Sequence, residues 1–572
     1  GCIGPTPENI RTLGLKHSAR ALAEANGVPL APGTDLLTDA DEAAAAAQRI
    51  GYPIMLKATA GGGGIGMRVC ENEADVRESF ESVARLGGSN FGDAGVFLER
   101  FIAEARHIEV QVFGDGQGRV MPLGERDCSL QRRNQKVVEE APAPDLSDEV
   151  RTGLIAAAVR LAEGAKYRSA GTVEFLFDAK SQDYFFLEMN TRLQVEHGVT
   201  EEVMGCDIVE WMIRGACGDF AMLEDEAPTP TGHAVQVRLY AEDPAQDYRP
   251  TTGMITNLAF PDDIRADTWV SAGSEISAWY DPMIAKLITH AERREAAIEA
   301  MRGALSEARV DGIETNLRWL RDVLANADFG ARRVHTKLLE GVDYVPDSVR
   351  VISGGTASSV QDWPGRTGMW DVGVPPCGPM DDHSLRLANR VLGNPEGEAG
   401  LEVTFTGPTL VFNAPARLCL TGADFGATLD GAPVVRGSAF DVAAGQTLAM
   451  GRVSGGGSRG YIAFAGGLDI PDYHGSKATF ALGQFGGHGG RCLVAGDTLH
   501  LARGEVGEGE APGAPQAFED TWTIRVMVGP HGAPDFFTDA DVESILKASW
   551  KVHYNSNRTG VRLVGPKPEW AR

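Results

Sequence analysis

The sequence lacks what a disulfide framework, a zinc centre, a membrane span or a nucleic-acid surface requires. Its eight cysteines, at positions 2, 70, 128, 206, 217, 377, 419 and 492, never form a C-x-x-C pair. They therefore give no support to a metal knot or a disulfide ladder, and they fit a reducing cytoplasm. No apolar run approaches the roughly 18 residues of a membrane span, and no N-terminal stretch reads as a signal peptide. The expected location is the cytoplasm, with no membrane partner. Positive charge is scarce: 53 Lys and Arg face 79 Asp and Glu, a net charge of -26. That balance excludes a general nucleic-acid binder, which needs basic surface to displace counterions. It leaves ATP open, because a nucleotide site needs only a local cluster of cations and backbone N–H groups. A starting Met is missing too. Cys2-Ile3-Gly4-Pro5 reads like the exit of a buried strand, and the other end stops just after the strand-like Val561–Val564. The expectation is a fragment of a longer gene product.

What is present is ordinary globular composition over 572 residues, too long for one core, so three or four domains are expected. Residues 7–225 alternate helical periodicity with short apolar strands, an α/β pattern. Ala40 to Ile50 predicts an Ala-rich amphipathic helix, Tyr52 to Ala58 a strand and Met67 to Cys70 another. Leu223 to Thr231 has linker composition. A smaller α/β unit follows, closing with predicted helices Ala291–Ala308 and Asn316–Ala325, and a second boundary is expected near Gly341–Asp347. From Val349 onward Gly, Thr, Val and Ala fill short strand-like runs at Gly400–Gly407, Arg417–Gly422, Tyr461–Gly467 and Thr498–Ala502. Helices are expected only at Asp382–Leu392 and Asp539–Ser549. This predicts a mainly-β domain of barrel or sandwich type.

Three segments carry chemistry. Lys57, at the end of a strand, leads through Thr59 and Ala60 into Gly61-Gly62-Gly63-Gly64-Ile65-Gly66, a hairpin tip that is nearly all backbone. Such a tip can lay N–H donors over phosphates while Lys57 adds a point charge; a plain flexible turn has the same composition. It is not a Walker loop, since no Gly-Lys-Ser/Thr enters a helix. Next, Glu125 to Glu140 is a dense run of Arg, Lys and amides in an acidic chain, read as a local anion site or equally as a salt-bridged surface loop. Last, Tyr184 to Glu196 alternates at period two. This predicts a strand with Glu188, Asn190, Arg192, Gln194 and Glu196 on one side and Leu187, Met189, Leu193 and Val195 on the other. On the preceding strand, Val173, Phe175 and Phe177 share a face and Glu174 takes the other. Two carboxylates and an amide can hold Mg²⁺ through oxygen, an Arg can grip a planar oxyanion through two bonds, and the last Glu can take its proton.

Glu125–Pro144 and Phe186–His197 resemble the ATP-grasp module of biotin carboxylases, and the similarity runs from residue 1 to about 340. The resemblance implies an α/β ATP-grasp fold with a small α+β C-terminal domain. It also implies activation of bicarbonate by ATP and carboxylation of a biotin ureido nitrogen. By motif it implies phosphate contacts from Lys16 and Lys57, a lid at Gly61–Gly66 (Gly62, Gly63, Gly64 and Gly66 against ATP), and an adenine hinge at Glu99 and Ile102. His107, Gln131 and Asn134 join the ATP-binding set with Glu174 and Glu188. Glu174, Glu188 and Asn190 are the expected Mg²⁺ or Mn²⁺ ligands. Lys136, Arg192, Gln194 and Val195 would hold bicarbonate, with Glu196 its base, and Arg265 would face biotin. Two departures stand out. Only the last dozen residues of the family's Rossmann-like N-terminal subdomain are present, and Asn134 stands where acyl-CoA-type members usually have His. With Ala60–Gly66, that second departure looks more like the urea carboxylase branch.

In the second half, Ser353 to Arg366 and Gly373 to His383 resemble the opening of the allophanate-hydrolase-subunit-2 family. So do Ala465 to Pro471, Gly475-Ser476, Gly483–Gly490 and Asn555 to Gly560. That family includes carboxyltransferases, and the fusion order implies urea, or a related small amide or guanidinium, as the acceptor. Ser476, Gln484, His488, Asn555 and Arg558 are its candidate acceptor residues, although turn or rim structure explains each of them as well. The implied domains are a remnant at 1–14, an ATP-grasp domain at 15–225, a biotin carboxylase C-terminal domain at 232–341 and a truncated carboxyltransferase domain at 349–572. No Ala-Met-Lys-Met-type tetrapeptide occurs, so biotin is expected on a carrier domain outside this chain. A homo-oligomer is a further open expectation. The alternatives are a guanidine carboxylase of the same architecture, the biotin carboxylase of an acyl-CoA carboxylase, and a C-terminal half that serves as a regulatory binding module.

Overall fold

The computed structural model describes residues 3–58, 66–91 (side chains to 86), 95–511, 517–519, 521–558 and 560–571. The chain divides into two compact units, Gly1–Tyr344 and Val345–Arg572.

In the first unit, Asp39 caps the helix Ala40–Ile50 by accepting from the amides of Asp41 and Glu42, and its buried alanines Ala43, Ala44, Ala46 and Ala47 form one face. Gly51 ends it at a φ of 92°, a conformation open to glycine. The strand that follows is Ile54–Ala58, two residues shorter than expected; it lies between Met67–Cys70 and Val96–Arg100 in a three-stranded antiparallel sheet. The tip, Thr59 to Ile65, lies outside the described residues, and with it Gly62, Gly63 and Gly64.

The main scaffold is an eight-stranded antiparallel sheet. In spatial order its strands are Arg265–Thr268, Met283–Ala291, His233–Tyr240, Gln135–Ala141, Val120–Arg132, Ala105–Asp115, Arg168–Asp178 and Asp183–Asn190. The sheet runs straight across the linker-like segment at 223–231, because His233–Tyr240 pairs with Gln135–Ala141. Period two decides what each face does. Ile108, Val110 and Val112 pack with Leu154, Ala157, Ala158 and Leu161 of the helix Asp148–Gly164. Val235, Val237 and Leu239 pack with Met301, Leu305, Leu320 and Val323 of the helices Arg294–Glu307 and Leu317–Ala325. The alternate residues, His107, Glu109, Gln111, Gln236 and Arg238, are therefore turned to the other face, where they are also buried.

In the second unit, the sheet Ala357–Gln361, Gly400–Thr404, Arg459–Phe464, Ala416–Gly422 and Ala439–Val442 buries Leu401, Val403, Leu418, Leu420 and Ile462. These side chains share one core with Val349, Val351, Leu410, Phe412 and Leu448 from a six-stranded sheet. Cys419 and Ala463 point the other way, onto Ala388, Val391 and Leu392 of the helix Asp382–Leu392. The second helix covers Asp539–Lys547. No helix among the described residues is long and apolar enough to cross a membrane.

Candidate functional site

The register of the large sheet lines up a row of charged residues. Arg126 stands opposite Glu109, Glu109 opposite Glu174, and Glu174 opposite Glu188, on four consecutive strands. Directly opposed residues in antiparallel strands share a face, so all four project to the same side. A bulge brings in a fifth group. Leu130 pairs with Val138 and Gln131 with Lys136, leaving Val137 extra. Without that inserted residue Lys136 would point away from Glu139; with it, Lys136 joins the charged face.

Lys136 Nζ donates to Glu109 Oε2 at 2.6 Å, Glu174 Oε1 at 2.9 Å and Glu196 Oε1 at 2.6 Å. Arg126 is fully buried and donates to Glu109 Oε1 (2.7 Å), Gln111 Oε1 (2.8 Å) and Thr200 Oγ1 (2.9 Å). Gln194 Nε2 and Asn190 Nδ2 each reach Glu174 Oε1 at 2.9 Å. His107 Nε2 lies 3.2 Å from Glu174 Oε2, and its Nδ1 meets Gln131 Nε2 at 3.1 Å. Arg238 Nη2 donates to Glu196 Oε2 at 2.8 Å and its Nε to Glu139 Oε1 at 2.5 Å. Burial penalises every charge here; at His107, Glu174 and Glu109 the opposite charges outweigh it, whereas at Glu139 burial wins and raises the carboxyl. Against the burial cost, Glu174 lifts His107 to about 9. Glu174 itself is held down at about 2 by His107 and Lys136. Glu109 is likewise well below the usual carboxylate range, beside Lys136 and Arg126.

Several expected residues are gathered here: Lys136, His107, Gln131, Glu174, Asn190, Gln194 and Glu196. Others take different partners. The predicted strand to Glu196 ends at Asn190. The chain then turns, and Glu196 precedes the helix His197–Met204. Gln194 and Glu196 thus reach the network from a turn, while Arg192 is exposed and, among the described residues, donates only to the Leu193 carbonyl, at 3.3 Å. The Val195 carbonyl accepts from Lys286 at 2.9 Å. Lys57 is buried and donates to Glu99 Oε2 at 2.5 Å, and Arg20 pairs with the same carboxylate. Lys16 opens the helix Lys16–Ala25, where burial and neighbouring Lys57 lower its pKa. Ile102 is half-buried just past Val96–Arg100, and Gly66 sits at a φ of 79°. Asn134, with Arg133, makes the exposed turn between two strands at φ 63° and 49°, a left-handed conformation that suits Asn.

Arg265 lies outside the network. It is held by Glu201 at 2.8 Å, Glu202 at 3.2 Å and Asp267 at 3.1 Å. The arginine on Glu196 is Arg238, which sequence reading missed together with Glu109, Arg126 and Glu139. The signal was there in the alternation His107-Ile-Glu109-Val-Gln111-Val and in Gln236-Val-Arg238, polar residues at period two inside apolar strands.

Two metal-competent groups lie in this network, His107–Glu109–Glu174 and Glu109–Cys128–Glu196, each with ligand atoms within 4.8 Å of one another. Lys136 already donates to the carboxylates of both. Glu188 differs: it is half-buried, directly opposite Glu174, and makes no hydrogen bond or ion pair with the described residues. With Glu174 and Asn190 it offers oxygen donors alone, the set a hard dication such as Mg²⁺ prefers.

In the second unit the acceptor candidates take different partners. Ser476 is buried and donates to Asp362 Oδ1 at 2.6 Å. His488 faces Asp497 at 3.6 Å beside Arg491. Arg558 pairs with buried Glu402 and donates to the Gly378 carbonyl. Gln484 and Asn555 are exposed.

Residues 16–222 match the family described as the ATP-binding domain of the carbamoyl-phosphate synthase L chain. Residues 236–341 match the biotin carboxylase C-terminal domain, and residues 372–572 the carboxyltransferase domain, subdomains A and B. The urea amidolyase of Lachancea kluyveri is 48% identical over all of this chain, which covers 32% of that protein. Biotin carboxylase 2 of Bacillus subtilis is 46% identical over 59% of this chain and 76% of its own length. The crystal structure of Kluyveromyces lactis urea carboxylase superposes with a TM-score of 0.79 at 40% identity, covering all of this chain and 45% of that one. The chain thus spans about a third of the urea amidolyase it matches.

Proposed function

Because this chain belongs to the biotin carboxylases, we propose that its first unit uses ATP to activate bicarbonate and carboxylate biotin, and that its second unit passes the carboxyl group to urea, giving allophanate. The observation that carries the acceptor is the order of the two units: the likeness to the L. kluyveri urea amidolyase and the K. lactis urea carboxylase extends over both.

Glu196 is the base in this reading. Its two oxygens meet Lys136 at 2.6 Å and Arg238 at 2.8 Å, so a planar oxyanion bound beside it would have a proton acceptor and two cationic donors in one place. Gln194 and Arg192 belong to the same turn, and Arg192, with no carboxylate partner among the described residues, has its guanidinium available for bicarbonate. Lys136 and Arg238 would also stabilise negative charge developing on oxygen as the carboxyl group moves. Lys16 and Lys57 are the phosphate contacts, and Glu99 fixes Lys57. Glu188, Glu174 and Asn190 would hold Mg²⁺ or Mn²⁺, and the ion, when bound, neutralises phosphate oxygens. Biotin, when present on a carrier domain, supplies a ureido nitrogen that takes the carboxyl group from one unit to the other.

The test is ADP release by the protein with Mg·ATP and saturating bicarbonate, with and without free biotin. The reading predicts cleavage that requires bicarbonate and rises with biotin. Cleavage indifferent to bicarbonate would refute it.

A further inference from the structure

The turn from Thr191 to Glu196 carries the residues proposed to meet bicarbonate, yet it belongs to neither strand nor helix. What holds it in place is therefore a question of side-chain contacts. From below, Gln194 is fixed by Glu174 and Arg126, with Gln194 Oε1 accepting from Arg126 Nη2 at 3.3 Å. The carbonyl oxygens are held separately. Gln194 O meets the His197 ring at 2.7 Å and the His197 amide at 3.3 Å. Val195 O receives the ammonium of Lys286, at 2.9 Å.

Lys286 sits on Met283–Ala291, directly opposite Arg238 on one side and Asp267 on the other. Opposed residues share a face, so Lys286 stands on the same side of the sheet as the arginine that grips Glu196. Its side chain is 10% exposed, and its remaining partner is Asp267 at 3.1 Å. Asp267 is in turn held by Arg265, which reaches Glu201 and Glu202 on the helix that begins after Glu196. A buried ammonium divided between one carboxylate and one main-chain oxygen is an expensive way to support a loop unless the position of that loop matters. The peptide it fixes joins Val195 to Glu196, within the turn proposed to hold bicarbonate.

We propose that Lys286 is a positioning residue for bicarbonate: by holding the Val195 carbonyl it keeps the Gln194–Glu196 turn in the bicarbonate-binding geometry, with Asp267 and Arg265 aligning the ammonium. This rests on the functional reading above. Lys286 touches no reacting atom. Its loss should loosen bicarbonate while leaving the ATP contacts, which lie on Lys16, Lys57 and Glu188, as they are.

The experiment is steady-state kinetics of bicarbonate-dependent ATP cleavage by the protein and its Lys286→Met and Lys286→Arg variants. Lys286→Met should raise KM for bicarbonate at least tenfold while KM for Mg·ATP stays within twofold and kcat within threefold. Lys286→Arg, which keeps a cationic donor, should return KM for bicarbonate to within threefold of the parent. A bicarbonate KM within twofold of the parent in Lys286→Met overturns the proposal, and so does a loss that falls on kcat or on the ATP KM. If Lys286→Met does not fold, Asp267→Asn takes its place, with an expected rise of threefold or more in the bicarbonate KM alone; no rise overturns the proposal. A parent protein whose ATP cleavage ignores bicarbonate would instead sink the functional reading.

Discussion

Glu174 and Glu188 stand directly opposite one another on neighbouring strands, yet only Glu174 is tied into the buried network. Glu174 is engaged by Lys136, Asn190, Gln194 and His107, whereas Glu188 keeps both oxygens clear of the described residues. Glu188→Gln should therefore remove a proposed metal ligand at little structural cost. The expected outcome is a steep loss of Mg·ATP cleavage, partly recovered at high Mg²⁺, with thermal unfolding unchanged. Near-parental cleavage at low Mg²⁺ would remove Glu188 from the metal site.

Lys136 carries the opposite expectation. It neutralises Glu109, Glu174 and Glu196 at once, and its side chain is 12% exposed. Lys136→Met leaves those carboxylates buried without their shared partner, a change that costs about 3–5 kcal/mol where a buried pair is broken. Thermal unfolding of the first unit should shift down markedly, and a shift within one degree would show that the acids are neutralised some other way.

These two residues also show what the sequence could disclose. The Glu188 and Asn190 pair was legible because a strand has a fixed period, and the structure keeps it to Asn190. Arg192 to Glu196 looked like more of the same strand, but the chain turns there, and hydrogen bonds to Arg126, Glu174 and Lys286, from strands 20 to 91 residues away in sequence, hold the turn. No local pattern contains those partners. Lys136 lies in a basic run and took its role from the family resemblance, although its aim depends on a one-residue bulge that depends in turn on the neighbouring strand. Arg238 and Arg265 are both arginines on strands, and only the order of strands in the sheet tells which one meets Glu196. In the second unit the Gly-rich motifs marked turns, and which partner each of their polar residues meets depends on the fold.

The His107–Glu174 pair predicts a two-sided pH dependence of stability. The pKa of Glu174 is lowered to about 2, so its contribution is fully present above the ordinary Glu range, near 4.5, and fades as pH falls toward 2. The pKa of His107 is raised to about 9, so its contribution is complete below the ordinary His value of 6.5 and is lost as pH rises toward 9. His107→Gln should flatten the alkaline limb between pH 6.5 and 9 and leave acid unfolding driven by the remaining carboxylates. Thermal unfolding across pH 3–10 reads both limbs, and an unchanged alkaline slope in the variant would mean that His107 is neutral in the folded protein.

Arg192 is exposed and, among the described residues, bonded only to a main-chain carbonyl, so Arg192→Lys should leave stability within about 0.5 kcal/mol of the parent. Its effect should fall on catalysis instead, because an ammonium cannot make the paired bonds of a guanidinium to a planar oxyanion. A loss of about 3 kcal/mol, on the order of a hundredfold in kcat/KM for bicarbonate, is expected. Activity within threefold of the parent would confine Arg192 to a surface role.

The central claim, that carboxyl groups pass from bicarbonate to urea, is tested most directly by isotope transfer. The protein is supplied with ATP, Mg²⁺, labelled bicarbonate, urea and a biotinylated carrier domain, and the products are read by nuclear magnetic resonance under alkaline conditions that preserve allophanate. The account predicts label in allophanate that requires ATP and the carrier and disappears in Glu196→Gln. Label that enters an acyl-CoA supplied beside urea, with none in allophanate, would contradict it.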